Sequence, residues 1–329
     1  MRAAGRLRTV ARRALPAALL FASLVPGGAA EARSLAGCEG DAPATRSPGI
    51  TMRLVAFDHS PFPYDGVVPA TGEAFLNVTD AGRRGRASRR GRFWEDETYS
   101  DRRVLLAVPD SFDPARPAVI IVFFHGNNAT LARDVIDRQA IPAQLAQSGL
   151  NAVLVAPQFA VDALDSSAGR FWEAGFFRAF LVEAGERVAR CLDDDGLAER
   201  FHRTPVILAA YSGGYNPAAA ALRFGGANER IAGVALFDAL YGETETFADW
   251  IRRGGGFFVS AFSRSTRSMN AALASRLASG GLDVRFRLPR RLGPHAVAFL
   301  DAGEQPHTQF MSRAWTISPL ADLLTRLTP

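Results

Sequence analysis

Short apolar runs alternate along this chain with longer segments in which apolar residues recur at helical spacing. The runs predict buried strands at 51–57, 103–109, 118–124, 151–157, 206–210, 231–238, 256–262, 284–288 and 296–300. Helices are predicted after Asn128 through about Gln147, over 173–190, after Gly214, near 266–279 and at the end of the chain. Since apolar strands that alternate with helices form parallel sheets, the pattern predicts an α/β fold, with a mostly parallel central sheet and helices on both faces.

The first thirty residues differ in kind from the rest. Five arginines precede an apolar run at 14–25, and Ala30-Glu31-Ala32 then fits the small-x-small rule for signal-peptide cleavage. We expect a signal peptide over 1–32, an N-terminal extension with an arginine-rich loop over 33–100, and the main domain over 101–329. No later apolar run is long enough to cross a bilayer, so the sequence predicts export to the periplasm or the medium.

The charge balance changes once the signal peptide is set aside. The chain has 38 basic and 33 acidic residues, a net charge of +5. Residues 1–32 hold five Arg and one Glu, which leaves 33 basic against 32 acidic residues. A charge of about +1 gives no reason to expect nucleic-acid binding.

One short stretch is strongly basic. Its arginines are interleaved with Gly, Ala and Ser: Arg83, Arg84, Arg86, Arg89, Arg90 and Arg92. Because the glycines disfavour a helix that would align the charges, we expect a solvated, mobile surface loop. The alternative is a patch that contacts an anionic surface or substrate.

The two cysteines, Cys38 and Cys191, are able to form one disulfide in an oxidising compartment. The competing interpretation is that Leu35-Ala36-Gly37-Cys38 is a lipoprotein processing box. Glu31 and Arg33 separate that box from the apolar run that normally adjoins it, so we favour soluble export over an acylated Cys38.

Ser212 follows one of the predicted buried strands and precedes an alanine-rich segment with helical character. A serine on a sharp strand-to-helix turn is exposed for nucleophilic attack, and the strained turn requires small neighbours. Ala210, Gly213 and Gly214 meet that requirement, although the first of these positions is usually glycine. Ser212 is therefore the candidate nucleophile.

A nucleophilic serine needs a base, and the base needs a carboxylate to orient it. Asp238 ends the predicted strand after that of Ser212, whereas the rival Asp301 lies too close to the expected histidine. His307 is in the loop after the last predicted strand, on the side where strand ends meet. His295 precedes the same strand and is expected at its opposite end, so we assign Asp238 and His307 to these roles.

The tripeptide His125-Gly126-Asn127 follows the most apolar predicted strand. Acyl transfer needs two backbone N–H groups directed at the developing oxyanion, and we expect those of Asn127 and Gly213. His125 itself is expected to be structural, and a simple tight turn is the alternative for the whole tripeptide.

Side chains that follow other strand ends are candidates for substrate binding. Arg170 and Trp172 lie in a segment expected to overhang the site, and Tyr241 follows Asp238 closely. The alternative is that the aromatic side chains belong to the core and that Arg170 pairs with a neighbouring acid.

The motifs HGNN, AYSGG, FDALYG and QPH, in this order, resemble the α/β-hydrolase superfamily over residues 100–329. The resemblance implies a sheet of the eight-strand type, the triad Ser212, Asp238 and His307, and chemistry without a metal or an organic cofactor. Two features depart from the usual pattern. Asp238 follows the strand directly after that of the serine, a known variant, and Pro217 would kink the helix unless it lies in the first turn.

The function that follows is an exported serine hydrolase that cleaves a small-molecule or polymer carboxylic ester through an acyl-enzyme. Two alternatives stay open. One is an amidase or peptidase that uses the same triad on a cell-envelope substrate. The other is a non-catalytic binding protein that retains the fold.

Overall fold

A ten-stranded mixed sheet forms the centre of the protein. The computed structural model describes residues 44–327 together with Met1 and Leu35, so the rest of the predicted signal peptide and Cys38 lie outside the described residues. The strands are β1 (Thr45–Ser47), β2 (Ile50–Ala56), β3 (Val78–Asp80), β4 (Arg83–Ser88), β5 (Gly91–Trp94), β6 (Arg103–Pro109), β7 (Val119–Phe124), β8 (Ala152–Pro157), β9 (Val206–Tyr211), β10 (Ile231–Phe237), β11 (Phe257–Phe262), β12 (Val284–Arg285) and β13 (Val297–Asp301).

The order of strands in the large sheet is β1-β2-β6-β8-β7-β9-β10-β11-β13-β12. The pairs β1/β2, β2/β6 and β6/β8 are antiparallel. All pairs from β8 to β12 are parallel. The carboxyl ends of β7, β8, β9, β10, β11 and β13 therefore meet along one edge, where groups from distant parts of the sequence come together.

Helices cover both faces of this sheet. They are α1 (Glu95–Thr98), α2 (Ile141–Ser148), α3 (Phe176–Cys191), α4 (Asp195–Arg203), α5 (Tyr215–Phe224), α6 (Thr244–Arg252), α7 (Arg267–Ser279), α8 (Phe310–Arg313) and α9 (Pro319–Leu324). Successive residues of β7 point to opposite faces: Val122 and Phe124 pack with α3 and α5, whereas Phe123 packs with α2 and α9. The α/β fold class expected from the sequence is confirmed.

The helix predicted after Asn128 is divided in two. A π-helical segment spans Leu131–Arg138, and α2 begins at Ile141. Ala140 between them has a left-handed φ of 49°. Pro142, in the first turn of α2, lacks the N–H that a continuous helix would use, which accounts for the break.

The arginine-rich stretch is not the loop expected from the sequence. Its residues form β4 and β5, and with β3 they make a three-stranded antiparallel sheet. Gly85 of β4 has no room for a side chain, since a Cβ there would lie 2.8 Å from the Trp94 ring of β5. Most of the arginines pair with carboxylates of neighbouring segments, so charge repulsion no longer opposes strand formation.

The predicted extension contributes to the main sheet. β2 pairs with β6 over its whole length, and β1, at the start of the described part of the extension, pairs with β2. Cys191, the last residue of α3, is disulfide-bonded. Among the described residues no helix has both the length and the apolar character needed to cross a bilayer.

Candidate active site

Ser212 occupies a tight turn between β9 and α5. Its φ of 53° is left-handed, a strained conformation for a residue with a side chain. The turn tolerates no larger neighbours: a Cβ on Gly214 would lie 2.2 Å from the Phe124 carbonyl, and one on Gly126 would lie 2.7 Å from the Ser212 Cβ. The Ser212 hydroxyl thus lies at the carboxyl edge of the sheet.

The helix after this turn accommodates its proline. Pro217 is the third residue of α5 and lies in its first turn. The first N–H groups of a helix have no intrahelical partner, so the missing N–H costs little there.

His307 connects Ser212 to Asp238. Its Nε2 lies 2.7 Å from the Ser212 Oγ, and its Nδ1 lies 2.6 Å from the Asp238 Oδ2. The structure thus brings the three predicted residues into one hydrogen-bonded chain. His295 is not part of this chain, and its Nδ1 lies instead 2.8 Å from the Gly255 carbonyl, before the start of β13.

Two tyrosines position the His307 ring. The Tyr211 ring stacks on it with centroids 5.0 Å apart, and the Tyr211 hydroxyl donates to the His307 carbonyl at 2.7 Å. The Tyr241 ring meets it edge-on at 5.9 Å. Since both the ring and the backbone of His307 are held, the imidazole has a fixed orientation beside Ser212. Sequence analysis did not single out Tyr211 for this role, although it directly precedes Ser212.

Asp238 is fully buried and is surrounded by donors. Its Oδ1 accepts from the Thr266 hydroxyl at 2.5 Å and from the Ser263 N–H at 3.0 Å. Its Oδ2 accepts from the Ser263 and Ser265 hydroxyls at 2.8 and 3.0 Å. Burial raises the pKa of Asp238, but the hydrogen bonds from His307, Thr266 and Ser263 outweigh it and hold the pKa well below its usual range.

An ionised Asp238 determines which nitrogen of His307 carries the proton. A carboxylate accepts hydrogen bonds only, so the Nδ1 of His307 must donate to it. In the neutral imidazole the Nε2 is then the acceptor, and it faces the Ser212 hydroxyl. This tautomer is the one that accepts a proton from serine.

The hydroxyl cluster around Asp238 was missed in the sequence. Ser263, Ser265 and Thr266 follow β11, which pairs with β10 in parallel, so they emerge at the same edge as Asp238. A run of hydroxyl residues directly after a neighbouring buried strand is the signal that would have identified them.

Replacing Thr266 by valine tests the hydroxyl cluster, because it removes one hydrogen bond to Asp238 and keeps the side-chain shape. We expect the free energy of unfolding at pH 7, measured by denaturant titration, to fall by about 1.5–3 kcal/mol, the range for hydrogen bonds to charged groups. A carboxyl group whose pKa is lower in the folded than in the unfolded protein stabilises the fold at pH values above its unfolded-state pKa. That stabilisation is lost only as the pH falls through the folded-state pKa. The loss should therefore stay constant between pH 8 and pH 5.

Ser260→Ala is the matched control for this variant. Ser260 is also buried on β11, but its hydroxyl donates to the neutral Asn270 at 2.5 Å. A neutral hydrogen bond contributes about 0.5–1.5 kcal/mol, so the control should lose less stability than Thr266→Val. Equal losses in the two variants would contradict the proposed stabilisation of a carboxylate.

The tripeptide His125-Gly126-Asn127 is anchored to the end of β8. The Nε2 of the buried His125 accepts from the Phe159 N–H at 2.8 Å, and its Nδ1 donates to the Gly126 carbonyl at 2.7 Å. Burial lowers the pKa of His125, which favours the neutral ring that these two bonds require. His125 thus holds Gly126 against Ser212.

The Asn127 side chain lies against the turn that carries Ser212. A Cβ on Gly213 would lie 2.3 Å from the Asn127 amide group. In one of its two orientations, both the nitrogen and the oxygen of this amide have hydrogen-bond partners. In that orientation its nitrogen donates to the Asp165 carbonyl at 3.0 Å and to the Ser166 Oγ at 2.9 Å. The backbone of Asn127 is thereby held beside Gly213. That these two N–H groups bind an oxyanion stays a prediction.

The three predicted substrate-binding side chains lie in different surroundings. The Tyr241 hydroxyl lies 3.4 Å from the His307 Nδ1, and its side chain is 38% exposed. Trp172 packs edge-on against the rings of Tyr64 and Phe75, with centroids 5.8 and 6.1 Å apart. Trp172 also lines a cavity of about 120 Å³ that runs along α5.

Arg170 makes its described contacts away from Ser212. Its guanidinium lies 3.9 Å from the centre of the Phe176 ring, donates to the Asp58 carbonyl at 3.2 Å and lies 3.6 Å from Glu173. Of the three side chains, Tyr241 alone contacts the Ser212–His307–Asp238 chain among the described residues. Substrate contacts by Arg170 and Trp172 stay predictions.

The described part of the chain contains no group of three or more His, Cys, Asp or Glu side chains arranged to hold a metal ion.

Comparisons with known proteins reveal distant structural similarity. No protein-family model and no curated protein matches the chain. An S-formylglutathione hydrolase from Agrobacterium tumefaciens is 11% identical with a TM-score of 0.49, and the match covers 88% of this chain and 100% of that one. A feruloyl esterase module from Clostridium thermocellum is 13% identical with a TM-score of 0.46, covering 80% and 97%. A bacterial heroin esterase is 12% identical with a TM-score of 0.43, covering 84% and 83%.

Similarities this distant carry no information about activity, so the assignment depends on the chain's own architecture. A mostly parallel sheet is covered by helices on both faces, and Ser212 lies on a strained turn between a central strand and the following helix. Asp238 and His307 follow it in that order along the chain, at the same edge of the sheet. The chain has the α/β-hydrolase fold.

Proposed function

We propose that this protein is an exported serine hydrolase that cleaves a carboxylic ester through an acyl-enzyme. The observation that carries the proposal is the hydrogen-bonded chain from the Ser212 Oγ through His307 to the buried Asp238. A neutral imidazole oriented by a carboxylate is the arrangement that converts a serine hydroxyl into a nucleophile.

Acylation follows from this geometry. The Ser212 Oγ attacks the ester carbonyl carbon, and its proton passes to the His307 Nε2. Negative charge gathers on the former carbonyl oxygen, for which the N–H groups of Asn127 and Gly213 are the proposed donors. When the tetrahedral intermediate collapses, the bond to the alcohol oxygen breaks, and the alcohol leaves with the proton held by His307.

Deacylation repeats these steps with water. His307 takes a proton from water while the water oxygen attacks the acyl carbon, and the bond to the Ser212 Oγ then breaks. The carboxylic acid is released, and Ser212 regains its proton from His307. Asp238 stays ionised throughout, because the hydrogen bonds from His307, Thr266 and Ser263 outweigh its burial and hold its pKa low.

Rapid mixing with a panel of p-nitrophenyl esters and the matched p-nitroanilides tests this function. We expect the esters to be cleaved, with an initial burst of about one p-nitrophenolate per chain where deacylation is the slower step. Faster cleavage of the anilides would favour an amidase that uses the same residues. Hydrolysis of neither class by folded protein would favour a binding protein that retains the fold.

Export is part of the proposal and is supported by one structural observation. Cys191 is disulfide-bonded, and disulfides persist mainly in oxidising compartments such as the periplasm. Mass spectrometry of protein purified from the native host tests it. We expect a mature chain that begins after Ala32 and carries no lipid on Cys38, whereas an uncleaved N-terminus on cytosolic protein would contradict export.

A further inference from the structure

The arginine-rich sheet contains two kinds of arginine. Four of its arginines pair with carboxylates: Arg83 with Asp96 at 2.6 Å, Arg84 with Glu95 at 2.9 Å, Arg86 with Asp165 at 3.3 Å and Arg92 with Asp80 at 3.2 Å. Arg89 and Arg90, at the turn between β4 and β5, pair with no carboxylate of the described residues. The stretch therefore offers two uncompensated charges at one end, rather than a broad basic surface.

This turn is held beside the candidate active site by Arg86. The Arg86 guanidinium covers the Phe75 ring at 4.8 Å and reaches Asp165, whose other partners include the Tyr99 hydroxyl at 2.5 Å. The Arg86 and Asp165 side chains are only 18% and 11% exposed. Because Asp165 directly precedes Ser166, a partner of Asn127, the sheet and the active-site loop are tied together.

Arg90 lies at the site itself. Its Nη1 lies 3.2 Å from the Asn127 side-chain oxygen, and the Asn127 amide group in turn lies against Gly213. One amide side chain thus separates the guanidinium from the turn that carries Ser212. Burial raises the pKa of Tyr215, three residues after Ser212, and the charge of Arg90 opposes that rise.

The acidic groups near the site already have partners. Asp165 faces Arg86, and Asp162 faces Arg133 at 2.6 Å. Asp238 accepts hydrogen bonds from His307 and its neighbouring hydroxyls, and Glu243 accepts one from the Thr246 hydroxyl at 3.0 Å. A guanidinium has five N–H donors, and the contact with Asn127 uses one end of the fork. Its remaining donors match a carboxylate in two parallel hydrogen bonds.

We propose that Arg90 binds a carboxylate of the substrate, so that the preferred substrate is an ester with a free acidic group elsewhere in the molecule. This inference rests on the proposed function, because it assigns specificity to the site around Ser212. In this arrangement the carboxylate of the substrate binds Arg90 beside Asn127, while its ester carbonyl lies at Ser212.

Labelling kinetics with paired fluorophosphonates test this proposal. In each pair, one reagent carries an alkyl chain that ends in a carboxylate, and the other carries a plain alkyl chain of equal length. The pairs differ in the length of this chain, from about two to six methylenes. The measured quantity is the second-order labelling rate constant of the carboxylate reagent divided by that of the plain alkyl reagent. Peptide mapping locates the adduct. For the best linker, Arg90→Glu should lower this ratio about 10- to 100-fold relative to the unmodified protein, as expected for loss of a charge-assisted hydrogen bond.

Arg89→Glu is the matched control, because it makes the same change in net charge at the neighbouring exposed, unpaired arginine. No described contact joins the exposed Arg89 to Asn127, and salt screens exposed charges over about 8 Å at physiological ionic strength, so the ratio for this variant should change less than threefold. Because both rate constants are measured on the same variant, any change in reactivity common to the two reagents, such as one transmitted through the contact of Arg90 with Asn127, cancels in the ratio.

The outcomes separate the two proposals. If the plain reagents label Ser212 but Arg90→Glu changes the ratio no more than Arg89→Glu at any linker length, the role of Arg90 is wrong and the hydrolase proposal stands. If neither class of reagent labels Ser212 in folded protein, both proposals are overturned.

Discussion

Ser212→Ala should lower the turnover number for p-nitrophenyl esters by a factor on the order of 10⁶. The activity that remains is the rate enhancement from substrate binding and oxyanion stabilisation alone. The expectation follows from the position of the Ser212 Oγ, the one side-chain atom within hydrogen-bond distance of the His307 Nε2 among the described contacts. Without it, no covalent acyl intermediate forms.

The fold should survive this change. Alanine at position 212 keeps the backbone strain of the turn and removes only a partly exposed hydroxyl, so the midpoint of denaturant unfolding should shift little. Ser265→Ala provides a comparison, since it also removes an active-site hydroxyl but leaves Ser212 in place. If Ser212→Ala retained more than about one hundredth of the activity while folded, the nucleophile would have to be another group.

Asp238→Asn should lower the turnover number by about 10⁴, with a smaller effect on KM. The asparagine amide can donate to the His307 Nδ1, which would place the ring proton on Nε2, facing Ser212. An imidazole in that tautomer cannot accept the serine proton. Steady-state kinetics on the ester panel measure the effect, with unfolding followed in parallel because Asp238 is buried.

Asp301→Asn is the matched control for the second variant. Asp301 also ends a strand of the same sheet, but it is exposed and pairs with Arg267 at 3.2 Å. It should keep turnover within about twofold of the unmodified protein. Comparable losses in Asp238→Asn and Asp301→Asn would contradict the assignment of the orienting carboxylate.

Most of the large sheet was predictable because its strands are buried on both faces. Continuous apolar runs such as those of β7 and β9 mark strands that helices cover on either side, and their limits lie within a residue or two of the prediction. The meeting of Ser212, Asp238 and His307 follows from the same logic, since parallel strands bring their carboxyl ends to one edge.

Features that depend on long-range partners were not predictable in this way. The small sheet of β3, β4 and β5 has few apolar residues, so a loop was the natural expectation. The acids that neutralise its arginines come into contact with them only once the strands pair or, for Asp165, through the tertiary fold. α4 was missed because it is short and polar, with Leu197 and Phe201 as its buried residues. Likewise, nothing local to Arg90 indicates that it reaches Asn127.

The most direct test of the central claim is the site and rate of phosphonylation by a plain alkyl fluorophosphonate. We predict one adduct per chain, located at Ser212 by peptide mapping, and labelling at least a thousandfold slower in His307→Ala. Folded protein that forms no adduct, or that is labelled at the same rate with and without the His307 imidazole, would contradict an activated serine in this protein.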